Sequence, residues 1–263
     1  MLSKNKARFI VSLQKKKARE EYRLYIIEGD KIVKEFISAG MPIKSLVAKP
    51  EFISSLPKDG MKTVSETEPV SYEELKQISG LKTPHNALAV VCMPDHEFSH
   101  AKLLKEQCVM LDCIQDPGNL GTIIRAAAWF GIRNIVCSED CVDVYNPKVI
   151  QASMGAIIHV KVLYTDLRKF LTAAARKELP VYGTLLDGDS IYSQTLGNKG
   201  IILLGNESKG ISDDLIPFIN HKLLIPRFAA PAPGIDSLNV GMAASVIFSE
   251  FARRNIKHEE FHQ

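Results

Sequence analysis

The chain has 263 residues, 46% hydrophobic and 24% charged, the makeup of a globular protein with apolar mass for one large domain or two modest ones. It holds no apolar run near the roughly 20 residues a membrane-spanning helix needs, and its start, MLSKNKARFIVSLQKKKARE, lacks the apolar centre of a secretory signal, so a cytoplasmic location is expected. Net charge is +3, yet residues 1–23 carry eight Lys or Arg against Glu20 and Glu21, so positive charge is concentrated at one end.

In chain order, residues 1–93 read as a basic helical start, strand LYIIEG, helix DKIVKEFISAG, strand SLVAK, helix SYEELKQIS and strand ALAVVCM, with Gly40 and Gly80 at C-cap positions. The pattern breaks around Pro94 to Lys105. A domain over residues 1–95, a linker over 96–106 and a second domain over 107–263 are therefore expected. The second begins with strand CVMLDCI, a helix over 119–130 ended by Gly131, and strand NIVCS. A helix capped by Asn146 and Pro147, strand HVKVLY, a helix capped by Thr165, strands VYGTLL, GIILLG and KLLIP, and a last helix from Ser237 follow. Such alternation predicts an α/β fold with a mainly parallel sheet covered by helices on both faces.

Two features exclude metal chemistry as the expectation. Cys92, Cys108, Cys113, Cys137 and Cys141 contain no C-x-x-C, which argues against disulfides and zinc knuckles. HEFSH, His96 to His100, matches the zinc-protease pattern H-E-x-x-H, but it follows Pro94-Asp95 in the expected linker and its continuation is short and amphipathic. No metal is expected.

Ligands of open α/β sheets collect where strands run into helices, and three such loops carry unusual residues. The first is DPGNLGTIIRAA, with Asn119, Gly121 and Arg125; it lacks the lysine of a P-loop and the spacing of a dinucleotide fingerprint. The second is LLGNESKGIS, where Gly205 and Gly210 bracket Asn206, Glu207 and Lys209. The third runs from Ile225-Pro226 to Ser237-Leu238-Asn239.

In this order, N-x-G-x-x-x-R-x-A at 119–127, G-x-E-x-x-G at 205–210 and I-P…S-L-N-V-x-x-A at 225–243 resemble the signature motifs of the SpoU/TrmH family of RNA ribose 2′-O-methyltransferases, within the SPOUT superfamily. YIIEGDKIVKE, residues 25–35, resembles that family's small ribosomal-protein-like substrate-binding domain. One departure is the ten-residue stretch RFAAPAPGID between Pro226 and Ser237, longer than the family's usual loop.

The resemblance implies a C-terminal trefoil knot, a homodimer, S-adenosylmethionine as cofactor, and RNA as substrate, ribosomal RNA favoured over transfer RNA. It further implies cofactor contacts from Thr184, Leu204, Gly205, Asn206, Ile225, Leu238 and Asn239, and a catalytic set of Arg125, Asn119, Glu207, Ser237 and Asn239. No His or Cys stands in the three motifs, and a guanidinium stays protonated in ordinary surroundings, so Arg125 is expected to grip a phosphate and stabilise the developing alkoxide. Lys209 is a further candidate for a phosphate contact. With that domain behind it, the basic start reads as an RNA contact through Lys4, Arg8, Lys15, Lys16, Lys17, Arg19 and Arg23. A non-catalytic RNA-binding protein of the same fold is the remaining alternative.

Overall fold

The computed structural model describes residues 2–95, 103, 105–229 and 237–255. HEFSH lies outside them. The chain forms two compact units, Met1–Asp95 with Asp143–Ile158, and His96–Val142 with His159–Gln263.

The first unit contains α1 (Lys4–Ser12), α2 (Lys16–Tyr22), β1 (Leu24–Glu28), α3 (Asp30–Ser38), β2 (Ile43–Ala48), α4 (Pro50–Ser54), β3 (Thr67–Pro69), α5 (Tyr72–Ile78) and β4 (Ala87–Cys92). The sheet order is β1-β4-β2-β3, with β4 antiparallel to β1 and β2, and β3 parallel to β2. Because successive side chains point to opposite faces, Tyr25, Ile27, Leu46, Ala89 and Val91 form one core with Phe36 of α3. Leu24, Ile26, Val47, Leu88 and Val90 form another with Ile10 and Leu75. Both faces are covered, which is why β1 is buried along its whole length.

Gly40 ends α3 with a φ of 70°, as its C-cap position predicts. Gly80 does not play that part: α5 ends in extended Ser79, and the Gly80 amide donates to Glu28 Oε1 at 2.8 Å. A buried carboxylate needing donors outweighs the helix-ending preference of glycine here.

Residues 143–158, including the helix Pro147–Ser153, belong to the first unit although they follow β6 of the second. Ile150 enters the Phe36 core, Tyr145 lies 4.6 Å from Tyr25 between ring centroids, and Asp143 pairs with Arg19.

The second unit contains β5 (Gln107–Leu111), α6 (Pro117–Trp129), β6 (Asn134–Cys137), β7 (Lys161–Tyr164), α8 (Leu167–Ala175), β8 (Val181–Ser190), β9 (Gly200–Leu204), β10 (His221–Leu224) and α9 (Val240–Asn255); α7 is the helix Pro147–Ser153. All six strands are parallel, in the order β10-β8-β9-β5-β6-β7. Leu167, Phe170 and Leu171 of α8 cover one face, with Met110, Val136, Val181, Ile201 and Leu203. α9 packs beside α6 on the other, its Phe251 edge-on to Tyr182 of β8 at 5.0 Å.

Helix starts differ from the sequence expectation in three places, each decided by which side chain reaches the free amides. α6 begins at Pro117 and not at the expected 119, because Asp116 caps it by accepting from the Asn119 amide at 2.8 Å. Asp166 caps α8, because Thr165 is still held to β6 by a bond from its amide to the Cys137 carbonyl. α9 begins at Val240 with Asn239 taking the Gly241 and Met242 amides at 3.0 and 3.3 Å; Ser237 precedes the turn and does not cap it. Among the described residues no helix is long and apolar enough to cross a membrane.

Candidate active site

A parallel sheet delivers the carboxyl ends of its strands to one edge, and motif two begins where β9 ends. Asn206 and Gly210 exchange backbone hydrogen bonds of 2.9 Å in both directions, closing a tight turn. A Cβ on Gly205 would sit 2.3 Å from the Gly210 carbonyl carbon, so only glycine lets the turn close. Asn206 holds the turn in place, its Oδ1 accepting from the Ser208 and Lys209 amides and its Nδ2 donating to the Cys113 carbonyl at 2.8 Å.

The three motifs meet through side chains. Asn119 Nδ2 donates to Glu207 Oε1 at 2.5 Å, and Asn239 Nδ2 donates to Asn119 Oδ1 at 2.8 Å. Asn239 Oδ1 is already committed to the amides that open α9, so the direction of every bond in the chain is fixed. Below this relay α6 and α9 cross closely: a Cβ on Gly241 would lie 3.0 Å from Thr122 Cγ2.

Arg125 stands exposed on α6, six residues and about 9 Å along the axis from Asn119. Ser237, Leu238 and the Lys209 side chain are also exposed, and no bond ties Ser237 to the relay. The expected cofactor residues fall on three adjacent strands: Thr184 in β8 just past the break in its ladder with β10, Leu204 to Asn206 at the end of β9, and Ile225 just after β10. β8 follows β10 only to Gly183 and resumes at Asp189, so the stretch from Thr184 leaves the ladder and exposes Leu186 to 75%. Gly188 brings the chain back, since a Cβ there would meet the Leu223 carbonyl carbon at 2.8 Å. The expected loop 227–236 is described only to residue 229.

On the first unit, Lys4, Arg8, Lys15, Lys16, Lys17 and Arg23 are exposed, with Lys16 paired to Glu20 and Arg23 to Asp95. Arg19 is not available to RNA. It is 1% exposed, its Nη1 donates to the Leu13 and Gln14 carbonyls at 3.0 and 2.8 Å, and the other side of its guanidinium is on Asp143.

Sequence reasoning missed the support behind motif two. Asp112, 5% exposed at the end of β5, accepts from the Ser212 amide at 2.7 Å, and Cys113 follows with a φ of 55°. An acid at the carboxyl end of an apolar strand is the signal that marks such a residue. Burial, with Asp140 adding to it, pushes the Cys113 thiol up to about 11, so it is no thiolate base at neutral pH. Beside the motifs a cavity of about 440 Å³ is lined by Asp112, Glu139, Asp140, Asp166 and Asp214 among others. Arg168 and Lys169 line it as well. Among the described residues no cluster of three His, Cys, Asp or Glu is placed to hold a metal ion.

Residues 106–249 match the SpoU rRNA Methylase family. The chain belongs to that family. Residues 4–89 match the MRM3-like substrate binding domain, so this SpoU methylase carries a separate domain for its substrate. A relative of the SpoU chain is the 23S rRNA (guanosine(2553)-2′-O)-methyltransferase of Bacillus subtilis, 27% identical over 89% of this chain and 91% of that protein. Among solved structures, a protein from Porphyromonas gingivalis assigned to the TrmH family of RNA methyltransferases is 34% identical, with a TM-score of 0.84 over 97% of this chain and 99% of that one. An AdoMet-bound rRNA methyltransferase from Sinorhizobium meliloti shares the fold, with a TM-score of 0.81 over 98% of this chain and 97% of that one at 24% identity.

Proposed function

We propose that this SpoU methylase transfers the methyl group of S-adenosylmethionine to a ribose 2′-hydroxyl of ribosomal RNA. The observation that carries the proposal is the side-chain relay Glu207–Asn119–Asn239, which locks three distant motifs together beside an exposed arginine. The ribosomal substrate is supported by the B. subtilis relative, whose name states that reaction.

The strand ends fit the methyl donor. Thr184, Leu204 to Asn206, Ile225 and Leu238 combine a glycine turn without room for a side chain with the exposed apolar surface of Leu186 and Leu238, suited to an adenosine and a thioether chain. When bound, S-adenosylmethionine supplies an electrophilic methyl group on a sulfonium. Asn119 and Asn239, fixed by the relay, orient the ribose. Arg125 holds the adjoining phosphate with a bidentate grip and stabilises the oxygen as its proton passes to that phosphate and on to solvent. Ser237, exposed near the same turn, faces the ribose as a second positioning group.

A trefoil knot belongs to the same proposal. It is supported by Asn239, which follows the edge strand β10 in the chain, being bonded to Asn119, which follows β5 in the interior of the sheet. A homodimer through α6 and α9 is supported by Trp129 and Met242, 82% and 62% exposed on these adjoining helices. The five free cysteines suit the reducing cytoplasm.

The test is transfer of labelled methyl from S-adenosylmethionine to unmodified ribosomal RNA, with transfer RNA in parallel, followed by alkaline hydrolysis. Alkali needs a free 2′-hydroxyl to cut, so label in alkali-resistant dinucleotides from ribosomal RNA is expected. Label in mononucleotides overturns the ribose assignment, label only in transfer RNA overturns the substrate, and no label overturns the enzyme reading in favour of a binding protein.

A further inference from the structure

We propose that Tyr22 is a stacking platform for an unpaired base of RNA, on the basic surface formed by α1 and α2. The inference rests on the RNA-binding part of the proposed function and adds to it the form of RNA that the surface takes.

Tyr22 is the last residue of α2 and is 48% exposed. Its ring stands nearly perpendicular to that of Phe9 in α1, 76° between planes and 5.1 Å between centroids. Phe9 is itself packed against the core around Ile10, Leu13 and Val90. The perpendicular contact with one anchored neighbour favours one orientation of the ring while about half of it stays exposed. The ring is therefore presented to solvent in a preferred orientation.

Charge complementarity selects the occupant. Arg8 precedes Phe9, Lys15 and Lys17 lie on the approach to and first turn of α2, and Arg23 follows Tyr22. Among the described residues, Lys4, Arg8, Lys15 and Lys17 have no carboxylate within ion-pair distance. Of the two acids beside Tyr22, Glu20 is paired with Lys16, and exposed Glu21 is a single negative charge against these cations. Four unneutralised cations on the same helices and connection as a half-exposed aromatic ring match a phosphate backbone with a base turned out of its stack. A protein partner would need an acidic, apolar segment, and the large hydrophobics exposed on α1 and α2 among the described residues are only Val11 and Tyr22. A duplex keeps its bases stacked on each other and gives Tyr22 nothing to cover.

The experiment uses the full chain and two labelled probes, a short oligonucleotide without self-complementarity and a fully paired RNA hairpin, with binding read by anisotropy at several salt concentrations. Tyr22→Ala is expected to weaken the single-stranded probe by about tenfold and leave the hairpin within about twofold. Its salt dependence stays that of the wild type, because no phosphate contact is lost. Tyr22→Trp keeps single-strand affinity, which separates stacking from the phenol hydroxyl and from any loss of fold. Lys15→Gln with Lys17→Gln gives the opposite signature, a salt slope smaller by about 1.4 on single strands with the single-strand preference retained. Wild-type binding that Tyr22→Ala leaves unchanged, or weakens equally on both probes, overturns the platform while leaving the RNA surface standing. Failure of the wild type to bind either probe overturns both.

Discussion

The Asn119 side chain gives its amide hydrogen to Glu207 at 2.5 Å and takes one from Asn239 at 2.8 Å, so one residue joins positions 88 and 120 residues away in the chain. The three residues are exposed or half-buried, and the bonds therefore order the site more than they stabilise the fold. Glu207→Ala is expected to lower methyl transfer by about 100-fold, the cost of a misplaced positioning group, with unfolding free energy changed by less than about 1 kcal/mol. Asn119→Asp sets a second carboxylate against Glu207. It should be worse than Asn119→Ala at neutral pH, the gap closing on acidification as the pair shares a proton. Equal activity of the two variants across the pH range removes the relay.

Among the described residues Arg125 donates no hydrogen bond, and it is exposed on the motif face, as a group reserved for a ligand would be. Arg125→Ala is expected to keep cofactor affinity, measured by calorimetry, and to reduce methyl transfer at least about 100-fold. Arg125→Lys recovers little, since an ammonium cannot make the bidentate contact. A cofactor affinity that falls in step with activity assigns the residue to the other ligand.

These two positions also mark how far the sequence could be read. Asn119, Gly121, Arg125, Gly205, Glu207 and Asn239 stand out only together, as three ordered motifs that resemble those of a known family, and alternating strands and helices predict the sheet they sit on. Who pairs with whom is not periodic. Arg19 looks the same as Lys15 to Lys17 in a basic run, and only its meeting with Asp143, 124 residues on, makes it a buried structural residue. The Thr184 excursion was equally hidden, because the stretch to Gly188 continues a plausible strand and leaves the ladder only where β10 arrives.

Arg19 supplies a test of that distinction. Removing the guanidinium leaves Asp143 and two carbonyls without their partner in a largely buried place, which costs about 3–5 kcal/mol. Arg19→Met is expected to lower the urea midpoint accordingly, and Arg19→Met with Asp143→Leu to recover much of the loss. RNA affinity of the folded variant and its salt slope stay at wild-type values. A reduced slope returns Arg19 to the RNA surface.

Gly205 and Gly241 make a graded pair. A methyl group at 205 collides with backbone on three atoms at 2.3 to 2.4 Å, whereas at 241 it meets only side-chain atoms, the Thr122 methyl at 3.0 Å and Thr122 Cβ and Asn239 Oδ1 at 3.2 Å. Gly205→Ala is expected to cost about 1–3 kcal/mol by overpacking and to abolish cofactor binding, because the turn between Asn206 and Gly210 no longer closes. Gly241→Ala costs less than about 1 kcal/mol and keeps binding. Calorimetric titration on both variants checks the order, and retained binding in Gly205→Ala shows that the turn is not part of the cofactor site.

Glu250 anchors α9. Its carboxylate accepts from Arg253 and Arg254 at 2.7 to 2.8 Å, and Arg254 carries on to the Gln194 carbonyl at 2.7 Å and the Tyr192 carbonyl at 2.5 Å. The Arg253 guanidinium foremost, opposed by burial and helped by Arg254, lowers the Glu250 carboxyl from 4.5 to about 2. A carboxylate held below its unfolded value stabilises the fold in full above that value, and the gain disappears as pH falls toward 2. Arg253 is exposed and screened by solvent, so the contribution is on the order of 1–2 kcal/mol. Glu250→Gln is expected to be less stable than the wild type by that amount at pH 7, with the difference shrinking between pH 4.5 and 2. A difference that stays constant through this window, measured by denaturant unfolding at each pH, means the pair contributes shape and no charge.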